Sequence, residues 1–160
     1  MSTTPRYFRG PFPNPSFDRQ VAAVEMQPNM DCISGEVTAS VGGRSLGVAR
    51  YAGKILGVHI AVGASGKDDS NDLYFEADVM INGVTCLTTK PQIAHVSGEA
   101  SSQKSTLNTD DTGLTQAVVN VSASEFAAGD VLTWNMLLTR TASPTTEIAN
   151  PSVIVEVEPL

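Results

Sequence analysis

The sequence predicts an all-β fold, an antiparallel two-sheet β-sandwich of the jelly-roll type with an extended N-terminal arm. Apolar and polar residues alternate along most segments, and Gly, Asn, Asp and Pro separate those segments. No segment shows a sustained helical period, and about eight strands fit a jelly roll. We therefore expect residues 1–18 to form the arm and residues 19–160 to form the sandwich.

Two neighbouring segments show the clearest alternation. The run "KILGVHIAV" places one apolar set on a single face: Leu56, Val58, Ile60 and Val62. In the run "LYFEADVMI" the inward set is Leu73, Phe75, Ala77, Val79 and Ile81, and the outward set is Tyr74, Glu76 and Asp78. A period of two is typical of a strand with one buried face, so both runs are predicted to be strands.

A tight hairpin is predicted directly after the second of these strands. Asn82 and Gly83 form the strongest short hairpin signal, because both tolerate the positive φ angles of a two-residue turn. Ile81 and Val84 then pair directly across the turn. The residues expected on the buried face after the turn are Val84, Cys86 and Thr88.

Four further strands are predicted, at "ISGEVTASV", "TQAVVNVS", "VLTWNMLLTR" and "SVIVEVE". The apolar sets of the last two are Leu132, Trp134, Met136 and Leu138, and Val153, Val155 and Val157. The run "SASEFAAGD" is predicted to form one helical turn, with Ser124 as its N-cap and Gly129 at its end. Two polar stretches, Ser97–Gly113 and Thr141–Pro151, are predicted to be exposed loops.

Length and charge narrow the class of protein. A chain of 160 residues suits one domain with a real core. The net charge of -7, without a Lys/Arg cluster, argues against a nucleic-acid partner. No apolar run is long enough to span a bilayer, and the polar N-terminus lacks a signal region. We expect no membrane partner and synthesis in a reducing cytoplasm.

The two cysteines, Cys32 and Cys86, fit no metal-binding spacing. The sequence favours two buried free thiols, because free cysteine is among the most buried residue types. A disulfide between them stays open as the alternative.

The run "GASGKDDSND", Gly63 to Asp72, is the most motif-like part of the chain. A phosphate-binding loop needs Ser or Thr after Gly-Lys, but Asp68 follows Lys67. An EF-hand fails because its sixth and twelfth positions would be Leu73 and Val79. We predict a hairpin loop whose acids face water and whose Lys67 and Asp68 are available for contacts. An irregular Ca²⁺ site using Asp68, Asp69 and Asp72 stays open.

The sequence predicts no enzyme, no catalytic residue, no metal site and no cofactor. His59 falls mid-strand opposite the apolar face, which indicates a surface or interface residue, and His95 has no partner nearby in sequence. Glu76 and Asp78 share a strand face, but a solvated face explains them better than a glycosidase pair.

The segment "MSTTPRYFRGPFPNPSFD" is the predicted arm. Its four prolines exclude a regular helix or central strand. Its aromatic side chains supply contact area, which favours an arm that lies on a neighbouring surface over an idle terminus. The residues expected to bind a partner are Arg6, Tyr7, Phe8, Arg9, Phe12 and Phe17.

Two blocks, Gly53 to Pro91 and Leu138 to Pro159, resemble small capsid decoration (cement) proteins of tailed bacteriophages. The resemblance covers somewhat over a third of the chain and contains no diagnostic motif. It implies a β-sandwich or jelly roll, a homotrimer, and a place on the capsid exterior. There the protein would clamp neighbouring subunits of the major capsid protein, its expected partner.

Two other functions are compatible with the fold class. A carbohydrate- or receptor-binding module of a phage fibre is one, since such folds also serve lectins. Only Tyr51 and Tyr74 in the body of the chain offer aromatic stacking surfaces. A hydrolase is the other, and it lacks a recognisable base and nucleophile.

Overall fold

The computed structural model describes residues 30–160, which form sixteen strands and one short 3-10 helix. The strands are β1 Met30–Cys32, β2 Glu36–Val37, β3 Val41–Val48, β4 Gly53–Val62, β5 Ala64–Lys67, β6 Tyr74–Ile81, β7 Val84–Thr85, β8 Leu87–Thr89, β9 Gln92–Ala94, β10 Lys104–Ser105, β11 Leu114–Thr115, β12 Val118–Val119, β13 Glu125–Phe126, β14 Val131–Thr139, β15 Thr146–Ala149 and β16 Ser152–Pro159. The helix spans Val121–Ala123.

Two large sheets form the body of the described chain. The first has the order β1-β16-β4-β10, with β13 also on β4, and the second has the order β11-β9-β6-β14-β3, with β7 also on β6. Two small sheets, β2-β15-β5 and β12-β8, complete the fold. The pairings among the described strands are antiparallel, which confirms the all-β antiparallel class. Jelly-roll connectivity stays a prediction.

One apolar core joins the two large sheets. Ile60 and Val155 reach it from the first sheet, and Phe75 and Trp134 reach it from the second. The inward set predicted for β6 is confirmed in full, because each of its members is buried. The inward sets predicted for β14 and β16 are confirmed as well, although Leu138 and Val157 are only partly buried.

Strand β4 departs from its predicted alternation. Ile55 is buried, whereas Leu56 is 53% exposed, so the prediction for Leu56 is wrong. Gly57 pairs with Glu156 and Ile55 pairs with Val157, which leaves Leu56 as an extra residue in a β-bulge. A bulge shifts the alternation by one residue on one side of it, and that shift turns Leu56 outward.

The predicted Asn82-Gly83 hairpin is confirmed. Asn82 has a φ of 50° and Gly83 a φ of 81°, and Ile81 pairs with Val84. Cys86 is buried as predicted, but Val84 is 64% exposed. Strand β7 is two residues long at an edge of the second sheet, so the core does not extend beneath Val84.

The chain changes sheets immediately after Cys86. Leu87 is buried next to it, and β8 pairs with β12 instead of continuing along β6. Because this change ends the simple alternation, Thr88 is exposed and its prediction is wrong.

The cysteine prediction is half right. Both thiols are free, so the disulfide alternative is not formed. Cys86 is buried, and burial raises the pKa of its thiol to about 11. Cys32 is exposed, because β1 is a sheet edge and Cys32 lies on its outward side.

Both predicted exposed loops contain strand structure and buried residues, so those predictions are wrong in part. Within Ser97–Gly113, β10 pairs with β4, and Lys104 and Thr106 are buried. Within Thr141–Pro151, β15 pairs with β2 and β5, and Ile148 is fully buried. The polar composition of the two stretches gives no sign of these strands, because each strand pairs with a strand that is distant in sequence.

The weaker strand and helix predictions fail in detail. Only β2 and the first residue of β3 form from "ISGEVTASV", and "TQAVVNVS" contains β12 and the start of the helix. The helix begins after Asn120, whose side chain accepts a hydrogen bond from the Ser122 amide. Ser124 is therefore its C-cap and not an N-cap.

A polar cluster links the two large sheets. The Asp31 carboxylate of β1 accepts hydrogen bonds from Arg44 Nε at 2.5 Å and from Trp134 Nε1 at 2.7 Å. A second guanidinium nitrogen of Arg44 lies 2.9 Å from the other carboxylate oxygen. Arg44, with a smaller contribution from Trp134, lowers the pKa of Asp31. We call Asp31, Arg44 and Trp134 the Asp31 cluster.

Candidate functional site: a cluster of polar loops

Three polar segments of the described residues contact one another in the folded protein. We call them the loop cluster, which comprises residues 63–72, 95–113 and 141–146. The Ser65 amide donates to the Ser102 carbonyl at 2.8 Å, and the Gly66 amide donates to Ser101 Oγ at 3.1 Å. The Thr141 hydroxyl donates to Asp68 at 2.6 Å. These contacts join segments that are far apart in sequence.

Asp68 is a buried acid that accepts hydrogen bonds from other residues of the loop cluster. It is 7% exposed, so the expectation that this acid faces water is wrong. One carboxylate oxygen accepts from Thr141, and the other accepts from the Ser70 amide and the Asn71 side chain. The hydrogen bond from Thr141 is the main cause of the lowered pKa of Asp68.

Asp69 joins the first two segments of the loop cluster. Its Oδ1 accepts from the Gly98 amide at 2.8 Å and lies 2.9 Å from His95 Nε2. Lys67 Nζ lies 3.4 Å from Oδ2, so the half-exposed Lys67 is paired within its own loop. The Gly98 amide, followed by His95 and Lys67, lowers the pKa of Asp69 to about 2.

His95 is an interior residue of this cluster. Its side chain is 2% exposed, and its Nδ1 has no hydrogen-bond partner among the described residues. No partner for His95 is evident in the sequence, because Asp69 lies 26 residues earlier and β6 to β9 bring the chain back to it. The contact between His95 and Asp69 holds two loop segments together. The same Asp69 oxygen also accepts a hydrogen bond from the Gly98 amide.

Lys104 is the least expected member of the loop cluster. Its side chain is 4% exposed, and Nζ donates to Glu99 at 2.7 Å and to the Thr112 carbonyl at 2.9 Å. The Ala94 carbonyl lies 3.5 Å from the same nitrogen. Glu99 also accepts from the Thr112 hydroxyl, and Lys104 is the main cause of its lowered pKa. We call these four residues the Lys104 cluster.

The Lys104 ammonium occupies the position that a bound cation would take among these oxygens. A buried ammonium is stable only when oxygens surround it, and here one carboxylate and two carbonyls do so. Sequence reasoning missed Lys104, because a single lysine among Ser and Thr residues looks like an ordinary surface residue.

The described residues contain no group of three or more His, Cys, Asp or Glu side chains arranged to hold a metal ion. The Ca²⁺ alternative at residues 68–72 therefore has no preformed site. Asp68 and Asp69 are directed to different partners, Thr141 and Gly98, and Asp72 is exposed.

Two open grooves flank Lys104. One, of about 440 Å³, is lined by apolar residues, by Lys104 and Asp111, and by five amide or hydroxyl side chains: Gln103, Ser105, Asn108, Asn150 and Ser152. The other, of about 450 Å³, has an acidic lining that includes Glu99, Asp110 and Asp111. The loop cluster can thus present hydrogen-bonding groups and negative charge to a partner.

The other polar candidates have local structural partners. His59 Nε2 lies 3.5 Å from Glu156 on the outer face of the first sheet. Asp78 accepts from the Thr85 hydroxyl at 2.5 Å and lies 3.6 Å from Lys90.

The predicted arm residues, Arg6, Tyr7, Phe8, Arg9, Phe12 and Phe17, lie outside the described residues. In the described part, residues 30–160, no helix is long and apolar enough to cross a membrane. No family model, curated protein or solved structure matches the chain. The resemblance to phage decoration proteins therefore stays a prediction.

Proposed function

We propose that this protein is a structural component of a tailed-phage virion that binds the outside of the capsid and clamps neighbouring major capsid subunits. The observation that carries the proposal is the cross-linked loop cluster. Its three segments are fixed to one another by Asp68 and Asp69 before any partner arrives, and Lys104 fixes the second segment internally.

Preorganisation of this kind suits a binding surface. A surface whose loops are already ordered loses less conformational entropy on association, so more of the contact energy appears as affinity. The polar groups at the centre of the loop cluster are occupied by one another, which leaves its outer surface to meet a partner.

The charge of the loop cluster indicates the kind of partner. It contains six carboxylates, at Asp68, Asp69, Asp72, Glu99, Asp110 and Asp111, and two lysines, at Lys67 and Lys104. It therefore holds -4 of the net charge of -7. A basic patch of a capsid subunit would be attracted to such a surface.

The arm supplies the second contact in this proposal. Its aromatic residues provide contact area, and its prolines reduce the entropy lost on docking. In a homotrimer three arms would bind a local three-fold site together, and this multivalency would raise the overall affinity well above that of one arm.

Binding to heads assembled without this protein tests the proposal. The full chain should cosediment with expanded heads, and the triple variant F8S/F12S/F17S should lose most of that binding while its circular dichroism stays unchanged. Val121→Ser is the matched control, since it removes an apolar side chain that is 84% exposed on the body. Equal binding by the triple variant and the full chain would show that the arm is not the clamp.

A second experiment tests whether the partner surface is positively charged. Charge reversal at Asp110 and Asp111 to Lys should weaken binding to heads and reduce its dependence on salt. Unchanged binding would exclude the loop cluster as a contact. Mass measurement in solution tests the trimer, and a monomer at micromolar concentration would remove the multivalency argument.

A carbohydrate- or receptor-binding role is the second candidate, favoured by the amide-lined groove beside Lys104. Its volume of about 440 Å³ falls in the range of small-ligand sites, and its amides and hydroxyls suit a polyhydroxylated ligand. Tyr51 and Tyr74 do not line it. Glycan-array binding that is lost in N108A/N150A would support this role over the capsid role.

A further inference from the structure

A mainly apolar patch lies on the outer face of the first sheet, where the described residues begin; its Met30, Cys32 and Leu56 are exposed, and its Ile154, Ala61 and His59 are partly buried. We call it the outer patch, and its members are Met30, Cys32, Leu56, His59, Ala61 and Ile154. Met30 pairs with Ile154, and Ile154 pairs with His59, so these three form one row across three strands. Paired residues on adjacent strands point to the same face.

The direction of this row is fixed by its neighbours. Val153 and Val155 are fully buried, so Ile154 between them points away from the core. On β1, Asp31 points inward to Trp134, so Met30 and Cys32 point outward.

The outer patch is more apolar than the rest of this face, which carries Lys54, Ser152, Glu156 and Glu158. Met30 is 60% exposed, and the bulge in β4 leaves Leu56 53% exposed on the same face. A half-solvated antiparallel sheet usually carries polar residues on its outer side. A covering segment would remove these apolar groups from water.

The chain itself supplies a suitable segment immediately before Met30. The sequence there is "VAAVEMQPN", residues 21–29, in which Val21, Val24 and Met26 are apolar. Pro28 and Asn29 are typical turn residues, so they favour a change of chain direction just before β1.

The reach of this segment is sufficient. An extended stretch of eight residues spans roughly 26 Å, whereas the two strand spacings from β1 to β4 total about 10 Å. Because the segment is joined to β1, its effective concentration at the outer patch is high, and a small contact area is enough for docking.

We propose that the outer patch is the docking surface for residues 21–26 of the same chain. Docking there fixes the root of the arm to the first sheet and leaves residues 1–18 to reach beyond it. The proposal does not depend on the capsid role, since its test uses the isolated full-length protein.

The reaction rate of the Cys32 thiol measures whether a segment of the chain covers the outer patch. Its thiol lies on the outer patch and is exposed, whereas Cys86 is buried and serves as the internal control. The experiment measures the rate at which an uncharged maleimide modifies each cysteine of the native full chain, resolved by peptide mass spectrometry. The reference is the same chain in denaturant.

We expect native Cys32 to react at least about tenfold more slowly than unfolded Cys32, which corresponds to ~1.4 kcal/mol. The variant V21S/V24S/M26S should restore most of the unfolded rate, while F8S/F12S/F17S should leave the protection unchanged. Ile154→Thr, on the patch itself, should also increase the rate. Cys86 should stay unreactive in each folded variant, which shows that the sandwich is intact.

Three results would overturn the proposal. Native Cys32 that reacts as fast as unfolded Cys32 would show that nothing covers the patch. Protection that survives V21S/V24S/M26S would assign the cover to another segment. Protection that increases with protein concentration would assign it to a second copy of the chain.

Discussion

The Asp31 cluster and the Lys104 cluster are built from similar chemistry but join different parts of the molecule. In the Asp31 cluster the paired side chains of Arg44 and Asp31 are 33% and 21% exposed, and they connect two large sheets. In the Lys104 cluster Lys104 is 4% exposed, yet it connects parts of one loop and its flanks. Burial alone therefore does not set the importance of a polar contact. The elements that the contact joins decide whether its loss unfolds the protein or only opens a loop.

Removing the centre of the Asp31 cluster should have the largest effect. Asp31→Ala leaves the buried Trp134 Nε1 without its acceptor and Arg44 without its carboxylate. We expect the free energy of unfolding to fall by about 2–3 kcal/mol, because hydrogen bonds to charged groups are among the stronger ones. Urea unfolding followed by Trp134 fluorescence measures it. Asp110→Ala at an exposed position is the matched control, and equal losses in both variants would refute the distinction.

Removing only the cation of the Asp31 cluster should have a smaller effect. Arg44→Met keeps the hydrogen bond from Trp134 to Asp31, so we expect a loss of about 1 kcal/mol for a partly exposed pair.

The pH dependence of Arg44→Met sharpens this expectation. Arg44 holds the pKa of Asp31 below its ordinary value, so its stabilisation is present above that ordinary value and is lost as pH falls through the folded-state pKa. In Arg44→Met the folded-state pKa lies closer to the ordinary value, so that loss should be smaller and should be complete at a higher pH. Urea midpoints measured from pH 7 to acid would contradict this if the two curves were parallel.

Breaking the Lys104 cluster should affect the loop more than the fold. Lys104→Met keeps the aliphatic stem but leaves Glu99 and the Thr112 carbonyl without the ammonium. We expect faster hydrogen exchange across residues 97–113 and a loss of global stability below about 1 kcal/mol. Lys54→Met, which removes an ion pair with Glu158 on the first sheet, is the control. Faster exchange throughout both sheets would show that Lys104, like Asp31, stabilises the whole fold.

We expect the smallest effect from protonation of Asp69, because its hydrogen bonds join only two loop segments. Its pKa of about 2 means that its contacts are complete above its ordinary pKa and are lost as pH falls through about 2. The amide proton of Gly98, which donates to Asp69, should therefore shift in NMR spectra as pH falls through about 2. Asp69→Asn should abolish this titration, whereas Asp72→Asn should leave it unchanged.

The sequence predicted those parts of the fold that depend on neighbouring residues. The alternation of β6 and the Asn82-Gly83 turn are local patterns, and both are confirmed. Leu56 was misplaced because a bulge is defined by the partner strand, and β16 lies far along the chain. Ile148 was assigned to a loop because its pairing with Ser65 cannot be read from its own segment.

The same limit applies to the loop cluster. The run of residues 63–72 was recognised as a connection, but the distant partners of Asp68 and Asp69 were invisible in it. Thr141 lies 73 residues from Asp68, and Gly98 lies 29 residues from Asp69. The buried ammonium of Lys104 was missed for the same reason, since most of its ligands are backbone carbonyls that carry no sequence signal.

The strand order of the first sheet has a consequence for synthesis. Strand β16 lies between β1 and β4, although it follows both by more than ninety residues, as the pairing of Ser152 with Ala61 shows. A ribosome therefore releases β4 long before its neighbour β16 exists, and the edge of β4 that β16 covers stays unpaired until Pro159 has emerged. Late closure of a non-local sheet slows folding and leaves an unpaired strand open to other chains. Expression at lower temperature, or with a chaperone that binds extended apolar segments, should raise the yield of folded protein for this reason.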